Sequence, residues 1–180
     1  MSGCKIIVIA HGKSEMILCG KLRKDLRVDI IIVSNDNGET SIKIPDAVKI
    51  LSERPFLNVS QLHKTYSNLE YESGKDDRMP RLRIFPIMDL KDNPRESKSF
   101  KTKDIFKYCP LCDKIYPIWN DGELDDVMDS IGYQINRSKK RESYEGITDS
   151  MDVDVFYELL KEANNTNLDE FMEYCLRFSK

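Results

Sequence analysis

A chain of 180 residues, 40% apolar and 33% charged, has room for one domain, or one domain with a helical appendage, around a real core. Its 7 Pro and 8 Gly leave no place for a long linker, and no stretch reaches the roughly 18 apolar residues of a membrane helix, so no membrane partner is expected. The net charge of −3 is uneven: residues 149–180 hold eight Asp/Glu and three Lys/Arg, so the first 148 carry +2 and any nucleic-acid contact belongs to them.

The first predicted element is the apolar run Ile6–Ala10, too short for a signal peptide and bounded by a glycine turn. It reads as a buried strand feeding an amphipathic helix through Met16, Leu18, Leu22 and Leu26. Val28–Val33 is β-branched and predicts a second buried strand, followed by a loop of turn formers over Ser34–Thr40. A helix is predicted to start near Pro45 and to bury Ile44, Ala47, Val48 and Leu51. Residues 57–66 read as a further helical piece and 67–80 as a surface loop.

The third strand is expected over about 82–89, then a basic helical segment from Ser99 to Tyr108. Lys114–Trp119 predicts a fourth strand, placed at an edge or a bulge by Pro117, with Tyr116 and Trp119 packing in the core. A helix through Leu124, Val127, Met128 and Ile131 follows, and the apolar-poor stretch 134–149 is expected to be a mobile loop. Two helices close the chain. One buries Phe156, Leu159, Leu160 and Ala163; the other starts at Asn167 with Glu170 in capping-box position and buries Leu168, Phe171, Met172 and Cys175. Strand–helix alternation argues for an α/β fold with a mainly parallel sheet flanked by helices. The expected organisation is an α/β domain over 1–133 with a C-terminal helical extension, 150–180, packed on it.

Two polar clusters sit at predicted strand ends, where ligands bind in open α/β sheets. The first is His11-Gly12-Lys13-Ser14-Glu15. The glycine lets the backbone turn, the helix start offers N–H groups to an anion, and the charge of Glu15 suits the helix dipole whatever its role. A plain, well-capped strand–helix turn would have the same residues. No Walker loop pattern is present. The second is Asp89-Leu90-Lys91-Asp92-Asn93, whose carboxylates suit Mg²⁺, with Mn²⁺ as a substitute, although acids after a strand also serve as turn formers and caps. His11 could act as a general base near neutral pH or be a strand-end histidine hydrogen-bonded for structure.

The two clusters in this order resemble the motifs of the TOPRIM family, the fold of topoisomerases, bacterial primases and nucleases of several phage-defence systems. Its first motif, V-E-G-K-S-D, resembles Ile9-Ala10-His11-Gly12-Lys13-Ser14-Glu15, and its D-x-D resembles Asp89-Leu90-Lys91. The family's glutamate falls on His11 and its second aspartate on Lys91, a cation that would compete with a metal. The resemblance, over about residues 4–120, implies metal-dependent phosphoryl transfer on nucleic acid, in a defence or mobile-element setting. Glu15, Asp89 and Asp92 would be the Mg²⁺ ligands, Gly12, Lys13 and Ser14 the phosphate contacts, and Glu15, His11 and Asp89 the catalytic set. The alternatives are a catalytically silent module that binds nucleic acid or a protein partner, and a small-molecule phosphoesterase.

The five cysteines are scattered and odd in number, which favours a reduced, cytoplasmic setting over a disulfide framework. Cys109-Pro-Leu-Cys112 lacks a second C-x-x-C for zinc and reads as two buried thiols at a turn. Lys98, Lys101, Lys103 and Lys107, interleaved with Phe100, Phe106 and Tyr108, could track a phosphate backbone together with Arg137–Arg141, or form a solvated helix face.

Overall fold

The computed structural model describes residues 5–69 and 81–179. Its centre is a four-stranded, all-parallel sheet in the order β2 (Ile30–Val33), β1 (Ile6–Ala10), β3 (Arg83–Asp89), β4 (Ile118–Asn120). The α/β architecture expected from the sequence is present, with helices on both faces of the sheet. Every residue of β1 is fully buried because the strand is central and covered above and below.

Strand alternation divides the core in two. Ile6, Val8, Phe85, Ile87 and Ile118 face one side, against α1 (Lys13–Asp25), α5 (Leu124–Ser130), α7 (Val153–Glu162) and α8 (Leu168–Leu176). Ile7, Ile9, Ile84 and Met88 face the other, against α2 (Ile44–Leu51), α3 (Val59–Thr65) and α4 (Ser97–Lys101). Fully burying one such side chain contributes roughly 1.5–3 kcal/mol. The helix predicted at Pro45 buries Ile44, Ala47 and Leu51 and leaves Val48 half-buried.

Several expectations are corrected. Residues 134–149 are not a loop: a short 3₁₀ turn leads into α6 (Lys140–Ser150), which packs on α1 and buries Tyr144 and Thr148. Its apolar content is low because two core-facing residues are enough to hold a helix whose other sides face water. The basic segment is a short α4 and a separate 3₁₀ turn at Asp104–Phe106, divided where Lys103 turns left-handed (φ 68°). Phe100 and Phe106 stack edge-on in the core, 5.6 Å apart, and only Tyr108 is exposed.

Pro117 interrupts β4, which pairs regularly only from Ile118, with one isolated bridge at Ile115; the strand is at the sheet edge, as expected. Tyr116 and Trp119 are half-buried, under Arg83 and Lys101 respectively. Asn167 holds the N-cap position of α8 without capping it. Its Oδ1 instead accepts from Trp119 N (2.8 Å) and its Nδ2 donates to Pro117 O (3.1 Å), which fastens α8 to the broken edge strand. Ala163 lies just past α7, half-buried like Leu159. The C-terminal helices share one core with the sheet: Phe171 stands edge-on to Phe85 at 5.1 Å. Of the predicted 67–80 loop, residues 70–80 lie outside those described.

Candidate functional site

The parallel sheet sets β1 and β3 side by side, in register from Ile6↔Arg83 to Ala10↔Ile87. One residue past Ala10 and two past Ile87, His11 and Asp89 emerge near each other at the carboxyl edge, with His11 Nε2 3.9 Å from Asp89 Oδ2. Both strand-end clusters open into one cleft of about 370 Å³, lined by His11 to Glu15 from one side and by Asp89 and Asp92 from the other. Its floor is buried: Glu15, Asp89 and His11 are 3, 4 and 7% exposed. Lys13, Lys140 and Arg141 stand around it.

Each floor residue is held by its neighbours. His11 Nδ1 lies 2.8 Å from the Ile42 carbonyl, an acceptor, so Nδ1 carries a proton and Nε2 points into the cleft. Nε2 is 3.3 Å from Asp92 Oδ2 and 3.9 Å from Asp89 Oδ2, so it faces both carboxylates. Asp89 Oδ1 accepts from Asn120 Nδ2 (2.9 Å) on the adjacent strand and from Leu124 N (3.0 Å) at the start of α5. Asn93 ties the loop back: its Nδ2 donates to Asp89 O (3.1 Å) and its Oδ1 accepts from Ile44 N (3.1 Å).

Glu15 folds back on its own helix start, and its Oε2 accepts from Gly12 N at 2.9 Å. The free Gly12 N–H that an anion was expected to meet is thus occupied. Gly38 closes the mouth (φ 85°); a Cβ there would stand 2.9 Å from Lys13 Cα, so only glycine lets this loop cross the helix start. Lys13 reaches Asn37 O (3.0 Å) and Glu39 (3.6 Å). Ser14 is buried and hydrogen-bonds to Tyr144. Lys91 does not enter the cleft. Its side chain is exposed and paired with Glu123 at 3.0 Å, which relieves the competition with a metal that its place in the motif suggested.

Burial pushes Glu15 above the ordinary carboxylate range, against the pull of His11. Burial, and then the nearby charge of Glu15, raise Asp89 to about 7. The floor can therefore hold a proton near neutral pH. Sequence reading missed the supports supplied by α6 and α5. Tyr144 donates to Asp125 Oδ1 (2.9 Å) and Lys140 pairs with Asp125 Oδ2 (3.0 Å), so Asp125 anchors a lysine at the cleft wall. Burial opposes the Lys140 charge, yet Asp125, Glu15 and Asp89 together raise its pKa above the usual lysine value. The period-3.6 signal placed α5, but nothing local marks Asp125 as buried.

The donors suit a hard divalent cation in chemistry: oxygen from Glu15, Asp89 and Asp92, with Asp89 Oδ2 carrying no hydrogen bond from Asn120 or Leu124. Among the described residues, no three His, Cys, Asp or Glu groups are drawn together into a finished cation site, since Asp92 lies on His11. Cys109 is buried and Cys112 half-buried, and both are free thiols with no metal cluster among the described residues. The second basic run is largely paired: Arg137 with Asp126 and Asp129, and Arg141 with Glu145. No helix among the described residues is long and apolar enough to cross a membrane. Comparisons with protein-family models, curated proteins and solved structures found no match for this chain, so the TOPRIM resemblance rests on the two motifs and their order.

Proposed function

We propose that this chain carries out metal-assisted phosphoryl transfer on nucleic acid, as a small TOPRIM-like nuclease. The observation that carries the reading is the single cleft: two buried carboxylates and a histidine at its floor, the exposed Asp92 beside them, and Lys13, Lys140 and Arg141 around them. Carboxylates deep and cations at the rim are what a phosphodiester requires, because the phosphate brings charge that both a metal and lysines can meet. Glu15, Asp89 and Asp92 would hold Mg²⁺, which supplies charge neutralisation at the phosphoryl oxygens and a more acidic water.

The chain's own residues divide the remaining work. Lys13 leaves Glu39 to meet a non-bridging phosphate oxygen, and Lys140, held by Asp125, keeps positive potential at the wall. His11, its Nδ1–H fixed on Ile42, presents Nε2 to take a proton from the attacking water. Asp89, ionised when it holds the metal, would stay a carboxylate, and the proton gained by His11 would pass to the leaving oxygen through solvent water. Asn93 and Asn120 keep Asp89 in place throughout.

One observation favours a second reading: Asp92 closed on His11 resembles an internal ion pair standing where a cation would go, as in a silent binding module. The test is cleavage of labelled single- and double-stranded DNA and RNA with Mg²⁺ or Mn²⁺, beside the Asp89→Asn protein, with melting temperature followed against metal concentration. Metal-dependent cleavage lost in Asp89→Asn supports the enzyme. A flat melting temperature at millimolar metal with no cleavage overturns it in favour of the binding module.

A further inference from the structure

The opposite edge of the sheet holds a second cleft of about 550 Å³ that neither motif predicts. It lies where β3 begins, about 20 Å from Asp89 along the strand. Arg81, Arg83, Lys114 and Arg177 line it, with Asp113 the one carboxylate among the described lining residues; Lys114 lies 3.5 Å from Asp113 and Arg177 is paired outside the lining with Glu173 at 2.7 Å, in a chain whose net charge is −3. Its centre is Arg83. The guanidinium lies 4.2 Å from the ring centroid of Tyr116 and 4.3 Å from that of Tyr174, held between two tyrosines from different elements.

That sandwich uses the flat faces of Arg83 and leaves its N–H edge. Among the described residues no carboxylate pairs with it, Glu170 acting only at longer range. Tyr174 is fixed in turn, its hydroxyl donating to the Arg81 carbonyl and its ring edge-on to Phe178. Lys103 covers Tyr116 at 5.0 Å. An arginine held on aromatic rings, with Arg81 lining the same cleft, suits planar oxyanions met in pairs. The ring faces are already taken by cations and by Phe178, so little aromatic surface remains for stacking a base.

We propose that this cleft is a binding site for a run of phosphates, as in a nucleic-acid backbone or a nucleoside polyphosphate, read without regard to base. It does not depend on the chemistry assigned to the acidic cleft. The charge pattern selects phosphate chains over single carboxylates, because several cations spaced across the cleft gain most from a ligand with several charges.

The experiment measures binding of a labelled oligothymidylate to the full chain in EDTA, at several salt concentrations, with ATP and pyrophosphate as competitors. The Arg81→Gln/Arg177→Gln protein, altered only at the rim, should bind about tenfold more weakly, and its log–log salt slope should fall by roughly 1.4. Arg83→Lys keeps the charge and loses the fork, so weakening there assigns the effect to geometry. Asp89→Asn should still bind, which separates this site from the acidic cleft: loss of cleavage leaves it standing, and loss of binding leaves cleavage to be judged alone. Displacement by ATP at matched phosphate concentration identifies a free nucleotide as ligand; displacement by oligonucleotide alone identifies a strand. Unchanged affinity and slope in both the rim and Arg83 variants, or no binding by the unaltered chain at low salt, overturns the proposal.

Discussion

At its carboxyl end β3 delivers Asp89 to a cleft with a buried, acidic floor; at the start of the same seven-residue strand it delivers Arg83 to a cleft lined by four cations. The two are satisfied differently. Asp89 is held by two hydrogen-bond donors and pushed by burial to about 7, so its charge varies with pH and with any cation that arrives. Arg83 is held by ring faces, which stabilise its charge without neutralising it. One cleft is thus prepared to gain a positive charge and the other a negative one. The difference follows from position, since the carboxyl edge is closed by helix starts and loops while the amino edge is bordered by the aromatic side of α8.

The contrast can be broken first at the acidic end. Asp89→Asn retains an acceptor for Asn120 and Leu124 but removes the charge; cleavage of a labelled strand is expected to fall at least about 100-fold, a loss typical for a group acting in the transition state. Measured cleavage near the unaltered level would remove Asp89 from the chemistry. Tyr144→Ala tests whether α6 is part of the framework that holds Lys140. Losing a fully buried aromatic and the Asp125 hydrogen bond should cost about 3–5 kcal/mol in urea unfolding, whereas a mobile loop would lose almost nothing.

The pH response separates the clefts next. In metal-free buffer the folded chain binds a proton at Asp89 up to about pH 7, while the unfolded chain releases it near the ordinary value of 3.8. The folded state therefore holds more protons between those limits, and stability falls as pH rises through that window by about 1.4 kcal/mol per unit. Glu15 shifts in the same direction and steepens the fall. In Asp89→Asn the slope should shrink, and an unaltered slope would assign it elsewhere.

A smaller effect is expected where the two regions are joined. α8 runs from Asn167 on the β4 edge to Tyr174 beside Arg83. Asn167→Ala leaves Trp119 N and Pro117 O without partners and should cost about 1–3 kcal/mol in thermal or urea unfolding. The least effect belongs to Lys91→Ala, whose side chain is exposed on Glu123. Cleavage should be unchanged although the position matches the second aspartate of the D-x-D motif, and a large loss would show that Lys91 reaches the cleft.

Much of this was legible along the chain because it is written in short-range patterns. Continuous apolar runs mark strands buried on both faces, so β1 and β3 could be read directly, as could the polar clusters at their ends. β2 reads as buried too, but it lies at the sheet edge and leaves Ile31, Ile32 and Val33 half-buried. Periods of 3.6 residues placed α1, α2, α5, α7 and α8. The 134–149 stretch misled because a helix needs only one apolar stripe, and Tyr144 and Thr148 provide it in few residues. Asn167 misled in the other direction, as its side chain can cap a helix or bond an edge strand, and the broken strand beside it won.

The sequence by itself determined the class of fold, the strand-end location of His11, Glu15 and Asp89, and the lack of any span suited to a membrane helix, since each depends on neighbours a few residues apart. Only the tertiary structure decided that β1 and β3 adjoin, that Asp125 anchors Lys140 through α6, and that Arg83 lies between Tyr116 and Tyr174. These pairings bring together residues tens of positions apart, and which distant side chain closes on which is settled by packing both faces of the sheet at once, information that no local period contains.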